Sequence, residues 1–298
     1  MKEYFVWLAK LVTVMLVIFL FFGVLIGMIA SLGSEQIKLA SEQNKGVAVV
    51  ELKGIIDSSD QVLKDLQKHL NDDNIYGIIL DVDSPGGTVA PSQVIYSAIE
   101  RFKTKKPIVA VMGTVAASGG LYAALGASKV FAQPGTLTGS IGVVLQLPNF
   151  TELSDRFGVE MITIKSGKLK DAGNAFRPMT EEDRQFFQQT ADAAHRQFVN
   201  HVVEGRGLSL EEVEEFADGR IILGSDAVRL GLVDEIGDIY QAGRAVYQLA
   251  GVELADDQMP NIIFEDQRFK ELKRLLSAIS KAPGAFLSHA RLTSVLSL

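Results

Sequence analysis

The sequence predicts an α/β domain carried behind a single N-terminal transmembrane helix, and three features predict it. Short apolar runs rich in β-branched residues alternate with helix-like stretches from residue 46 to about 250, as an α/β domain requires. Two of those runs end in glycine-rich junctions that open helices. Residues 11–32 are uncharged and rich in Leu, Ile, Val and Phe. The rest of the 298-residue chain is long enough for one domain with a substantial core.

As a helix, residues 11–32 are long enough to cross a hydrocarbon layer of ~30 Å. Lys2, Lys10 and the amino terminus precede the run. The positive-inside rule therefore places the N-terminus in the cytoplasm and the remainder across the inner (cytoplasmic) membrane, a single-pass arrangement. Small residues near Ala30 and Gly33 keep a cleaved signal peptide as the rival, but the run exceeds the usual ~7 to 15 apolar residues of such a segment. The predicted organisation is a cytoplasmic end and anchor at 1–33, a polar linker at 34–45, an α/β domain at 46–250 and a tail at 251–298.

Within the domain, residues 47–52 read as a strand and 61–70 as a helix. Residues 78–82 form a second buried strand, followed by Asp83-Ser84-Pro85-Gly86-Gly87 and a helix at about 91–102. Residues 107–112 form a third, followed by Ala116-Ala117-Ser118-Gly119-Gly120 at the start of another helix. Further on, Thr180-Glu181-Glu182-Asp183 has the form of a capping box, and Phe187, Ala191, Ala194 and Phe198 share one face of a helix reaching about residue 204. That stripe is expected in the core or at a subunit interface.

Composition removes several functions. The net charge of −7, from 29 Lys and Arg against 36 Asp and Glu, argues against nucleic-acid binding, which needs basic surface. With no cysteine there is no disulfide, thiolate nucleophile or cysteine-based zinc site. His69, His195, His201 and His289 show no metal-binding spacing; His195 and His201, six apart, miss the three- or four-residue pairing of one helix face. No metal and no cofactor is expected.

What remains is Ser118 and Lys170, the latter closing Ser166-Gly167-Lys168-Leu169-Lys170. A serine hydroxyl is a weak nucleophile until a base takes its proton, and a lysine in an environment that disfavours the ammonium is one such base besides histidine. Two junctions that bring backbone N–H groups to the ends of neighbouring strands also suit an oxyanion hole. Taken alone, Ala117-Ser118-Gly119-Gly120 reads more readily as a serine N-cap before a closely packed helix, and Asp83–Gly87 fits an ordinary turn.

Together these segments resemble the signal peptide peptidase A group of membrane-anchored serine peptidases. The resemblance runs in order through Asp83-Ser84-Pro85-Gly86-Gly87, Ala117-Ser118-Gly119-Gly120, Leu137-Thr138-Gly139-Ser140-Ile141-Gly142-Val143 and Ser166-Gly167-x-x-Lys170. It continues through Gly205-Arg206-Gly207, Ala217-Asp218-Gly219-Arg220 and Gly231-Leu232-Val233-Asp234, covering residues 45 to 250. It implies a crotonase-like fold of the kind found in Clp proteases, with Ser118 as nucleophile and Lys170 as general base. Gly86, Gly87 and Gly119 fall in the oxyanion-hole neighbourhood, and Ser140 matches a serine that hydrogen-bonds the base. Lys168 is the neighbouring lysine that the spacing does not select.

Two positions depart from the family's usual pattern: Leu121 stands where a first aromatic commonly follows Ser-Gly-Gly, and Asp83 where the turn often begins with Asn. The resemblance further implies peptide substrates, remnant signal peptides with apolar and small residues among them, and a closed homo-oligomeric ring. The alternatives are a membrane endopeptidase that cuts one particular membrane-protein partner, a crotonase-like acyl-CoA enzyme and a non-catalytic membrane scaffold. In the tail, Phe269, Leu272, Leu276 and Ile279 lie at the spacing of one helix face amid Lys and Arg, which fits either an anionic membrane surface or a solvated helix packed on the protein.

Overall fold

The computed structural model describes residues 45–264 together with 13, 15–18 and 20–24. The expected membrane span at 11–32 therefore lies for the most part outside the described residues, and the amphipathic stretch around residues 268–281 lies wholly outside them. Among the described residues no helix is long and apolar enough to cross a membrane.

The domain is a mixed α/β structure built on a parallel-rich sheet. It starts with β1 (Gly46–Ile56), α1 (Asp60–Leu70), β2 (Ile75–Gly87), α2 (Val89–Phe102), β3 (Ile108–Ala116) and the short α3 (Gly119–Ala124). Next come β4 (Lys129–Ala132), β5 (Leu137–Gly139), α4 (Thr151–Phe157) and the long α5 (Glu181–Arg206). The remainder is α6 (Leu210–Glu214), β6 (Ile221–Leu223), α7 (Gly224–Arg229), β7 (Glu235–Ile236), α8 (Ile239–Leu249) and β8 (Ile262–Ile263). Strands β8, β1, β2, β3, β4 and β7 pair side by side, all in parallel. The end of β3 leaves this row to pair with β5, and β5 pairs antiparallel with β6.

Alternation along the central strands sorts side chains to two faces, because successive strand residues point in opposite directions. Ile78, Leu80 and Val82 of β2, with Ile108, Ala110 and Met112 of β3, join Leu66, Ile95, Ile99, Leu121 and Val202 in the larger core. Ile79, Val109 and Val111 face the other way, onto Ala242, Ala245 and Val246 of α8. Each central strand is buried on both sides, which is why it reads as an unbroken apolar run rather than an alternating one.

In one respect the strands differ from the expectation. Asp83–Gly87 is not a turn after a strand: β2 runs through it, with Ile55 opposite Gly86 and Ile56 opposite Gly87. The register slips between Lys53 and Ile55 on β1 and between Val82 and Ser84 on β2. A bulge of this kind re-aims a strand end without ending its pairing. β8 also pairs with β1, so the sheet continues past residue 250.

Residues 143–180 form an arm with little regular structure apart from α4. It carries a row of exposed apolar side chains, among them Val144, Phe157, Ile162 and Ile164, the last 96% exposed.

Candidate active site

Ser118 sits at the junction between β3 and α3, where the chain leaves the sheet. Its backbone is at φ 51°, ψ −119°, and its side chain makes no capping hydrogen bond. An N-cap serine has extended backbone and accepts from the helix's own N–H groups, so the local geometry decides against that reading. A positive φ at a residue with a side chain costs ~1–3 kcal/mol and persists only where the surroundings hold it. Here they do. The Ser118 N–H donates to the Gly139 carbonyl at 2.9 Å, and the Ser118 carbonyl accepts from Tyr122 N–H at 2.9 Å. Ala117 N–H is tied to the Ser84 carbonyl at 3.1 Å.

The end of β2 lies against this junction. Gly86 has φ +103°, and a Cβ placed on it would stand 2.7 Å from Gly119 N and 2.8 Å from Ser118 Cβ. Only glycine permits that approach, both for its dihedral angle and for its lack of a side chain. A Cβ on Gly119 would strike the Ser92 hydroxyl and lie 3.3 Å from Gly87 N, while one on Gly87 would strike the Ile56 carbonyl. The Gly87 and Gly119 amides are thus brought close together beside Ser118, and Gly119 N–H has no hydrogen-bond partner among the described residues. Gly86 has a different part, because its N–H donates to Ser84 Oγ at 3.1 Å. Ser84 Oγ in turn donates to the Gly54 carbonyl at 2.6 Å. Gly86 supplies the space and Ser84 fixes the bend.

The remaining expected residues are placed as follows. Ser140, at φ 49°, is one residue beyond the Gly139 carbonyl that holds Ser118, and its N–H donates to the Arg220 carbonyl at 2.8 Å. Thr138 Oγ1 secures the same loop by donating to the Ala116 carbonyl at 2.6 Å. Lys170 lies in an exposed turn of the arm, its N–H bonded to the Gly167 carbonyl at 3.1 Å. Among the described residues, no hydrogen bond or ion pair joins Lys170 to Ser118 or Ser140. Lys168 is exposed and pairs with Glu182 at 2.7 Å. Asp83 Oδ1 accepts from Val115 N–H at 3.0 Å, tying the ends of β2 and β3, and Asp81 pairs with Lys53 at 3.2 Å. Leu121 is fully buried, so its departure from the family pattern alters packing rather than an open pocket wall.

Behind Ser118, α3 is clamped to α5. Tyr122 stacks near Phe198, meets Tyr96 edge-on at 5.6 Å, and its hydroxyl is hydrogen-bonded to His201 Nδ1. Burial raises the Tyr122 phenol above its ordinary pKa, and burial together with Glu100 and Glu204 raises Tyr96 to about 12. Both phenols therefore keep their protons at neutral pH. His195 Nε2 lies 2.8 Å from the Ala217 carbonyl, and no group of three or more potential metal ligands occurs among the described residues.

A strained serine beside two close amides is the kind of arrangement acyl transfer uses, and comparison with known proteins gives the chain a family. The model of Peptidase family S49 matches residues 100–253, and that of Clp protease matches residues 27–137. The chain belongs to peptidase family S49. It is thus a serine-type peptidase with a Clp protease-like α/β fold. It is 40% identical over 211 residues to the putative protease slr0021 of Synechocystis sp., covering 70% of this chain and 76% of that one. It is 38% identical to the putative protease MJ0651 of Methanocaldococcus jannaschii, over 64% of this chain and 60% of the relative. With a putative signal peptide peptidase SppA of Enterococcus faecium the identity is 42%, over 59% of this chain and 51% of the relative. The chain thus spans only about half to three-quarters of the length of these relatives. An S49 peptidase has no need of the acyl-CoA reading.

Sequence reasoning missed Ser84 and Ser92, whose hydroxyls sit against the glycines. Their signal was present in part: Ser84 lies inside the motif itself, whereas Ser92 is four residues beyond Thr88, on a helix whose packing the sequence does not display.

Proposed function

We propose that this S49 peptidase is a membrane-anchored serine endopeptidase that uses Ser118 and Lys170 to cleave apolar, small-residue peptides such as signal-peptide remnants. The observation that carries the reading is the strained Ser118 backbone held against Gly86 and Gly119. In the acylation step, unprotonated Lys170 Nζ takes the Ser118 proton as Oγ attacks the peptide carbonyl carbon. The Gly87 and Gly119 amides receive the oxyanion, and the lysine ammonium returns the proton to the leaving amine. Water then attacks the acyl ester as Lys170 accepts its proton, and the lysine ammonium passes that proton to the departing Ser118 Oγ, which frees the acid product and restores both groups. Ser140, next to the loop that holds Ser118, is assigned to orienting the amine. No metal or cofactor enters the reaction.

The site is shared between copies of the chain in this reading. Two observations support it: Lys170 is exposed and unjoined to Ser118, and the arm that bears it displays a row of uncovered apolar side chains. An uncovered apolar surface of this kind marks an interaction site. A neighbouring copy over the arm would supply the desolvation that a lysine base requires. A closed homo-oligomeric ring satisfies every such interface. The N-terminal run at 11–32 anchors the protein with its N-terminus in the cytoplasm and the peptidase domain on the far side of the inner membrane.

The substrate reading is tested by digesting a peptide library with the full chain in membranes and sequencing the products. Cleavage beside Ala, Leu and other small or apolar residues is expected. A strict preference for acidic peptides, or cleavage confined to one membrane protein, would replace that substrate class with another.

A further inference from the structure

Arg177 lies outside the motifs that define the site, yet it makes the densest set of polar contacts in the arm. Its Nε donates to Asp171 Oδ2 at 3.0 Å, and its Nη2 donates to the Asp171 carbonyl at 3.1 Å and to Oδ1 at 3.3 Å. Its Nη1 donates to the Pro178 carbonyl at 3.0 Å and to Asp183 Oδ2 at 2.5 Å. All three guanidinium nitrogens are engaged. Asp171 immediately follows Lys170 in the chain, and Asp183 is the capping-box residue of α5, accepting from Thr180 N–H while its own N–H bonds Thr180 Oγ1.

We propose that Arg177 is the positioning residue for Lys170, locking the lysine-bearing turn to the start of α5 through Asp171 and Asp183. The inference rests on the reading of Lys170 as the general base. The turn has few other ties. Its main chain is closed by Lys170 N–H to Gly167 and Ala172 N–H to Leu169, bonds that shape the turn but do not aim it. Lys165 adds bonds to Asp171 and to the Lys168 carbonyl, again within the arm. The Lys168–Glu182 pair also reaches α5, but there the lysine side chain is 77% exposed, whereas the Arg177 side chain is 26% and Asp183 4% exposed. Buried partners and a planar fork of donors fix direction in a way that an exposed point charge does not. The same contacts keep the partners ionised: bonds from Arg177, then from Lys165, hold the Asp171 carboxyl at about 2. From α5 the chain of contacts continues to Tyr122 on α3, through Phe198 and His201. One helix thereby references both the lysine turn and the serine junction.

A positioning role predicts a particular pattern of loss. Arg177→Gln in the full-length, membrane-reconstituted protein should lower kcat on the order of 10²-fold, the scale expected when a catalytic group is displaced by about 1 Å. KM should change by less than about threefold, and the acid limb of the pH–rate profile should move, because the lysine amine then titrates in altered surroundings. Asp171→Asn, which keeps the side chain's shape, should show the same signature more weakly. Arg229→Gln, which removes an exposed ion pair to Asp226 on α7, should leave kcat and the profile unchanged. Lys170→Ala is measured alongside. If Lys170→Ala is inactive while Arg177→Gln and Asp171→Asn keep wild-type kcat and pH profile, the positioning role is overturned and the lysine reading stands. If activity falls only in proportion to folded protein, with the pH profile unmoved in both variants, Arg177 is structural and the proposal also fails. Full activity of Lys170→Ala would remove the lysine reading, and the proposal with it.

Discussion

Ser118 departs from relaxed geometry where Gly86 packs against it, and the proposed mechanism gives that departure a chemical use. At φ 51° and ψ −119° the Ser118 side chain makes no hydrogen bond back to the helix it opens. The adjacent amides of Gly87 and Gly119 are then free of side-chain obstruction. Gly119→Ala is the informative probe, because its new methyl group would strike the buried Ser92 hydroxyl and push the Gly119 amide away. The expected result is a fall in kcat on the order of 10²- to 10³-fold, the usual consequence of losing one oxyanion donor, with little change in KM. Steady-state kinetics on protein of unchanged circular dichroism checks it; wild-type kcat would exclude Gly119 from the oxyanion hole.

At the scale of elements, α5 organises the arm. Its capping box and the Arg177 contacts hold the turn at residues 166–173, and Asp171 supplies the acid-sensitive part. The Asp171 carboxyl titrates at about 2 in the folded protein, against ~3.9 when unperturbed. A depressed carboxyl contributes stability that is complete above the unperturbed value and is lost as pH falls through the folded one. Amide protection in residues 163–180, taken relative to the intrinsic exchange rate at each pH, should therefore fall as pH drops from about 4 to about 2, the window set by those two values. In Asp171→Asn the exchange should already be fast at neutral pH, and an arm equally protected in both proteins would contradict the assignment. Elements of this kind also show what the sequence displays and what it hides. The strands at 78–82 and 108–112 were legible because burial on both faces leaves continuous apolar runs. The capping box was legible because its bonds are local. Asp83–Gly87 misled, since Pro and Gly signal a turn and only pairing with β1 keeps the backbone extended. Arg177 and Asp171 gave no signal at all, and Asp183 signalled only its local cap, because the contacts among the three depend on how an irregular segment folds back onto α5.

At the scale of the whole molecule, the described chain holds Ser118 in a hydrogen-bonded junction and Lys170 on an exposed arm. Co-expressing inactive Ser118→Ala and Lys170→Ala chains tests whether copies complete one another's sites. Random mixing across a shared interface should restore about a quarter of the sites, the product of two independent halves. A dyad confined to one chain would give no rescue. The central claim, that Ser118 is the nucleophile and Lys170 its base, is tested most directly by mass spectrometry of the protein after reaction with a fluorophosphonate. The account predicts one adduct, on the peptide containing Ser118, that forms at the wild-type rate in Lys168→Ala and at least ~10³-fold more slowly in Lys170→Ala. An adduct on another residue, or undiminished labelling of Ser118 in Lys170→Ala, would contradict it.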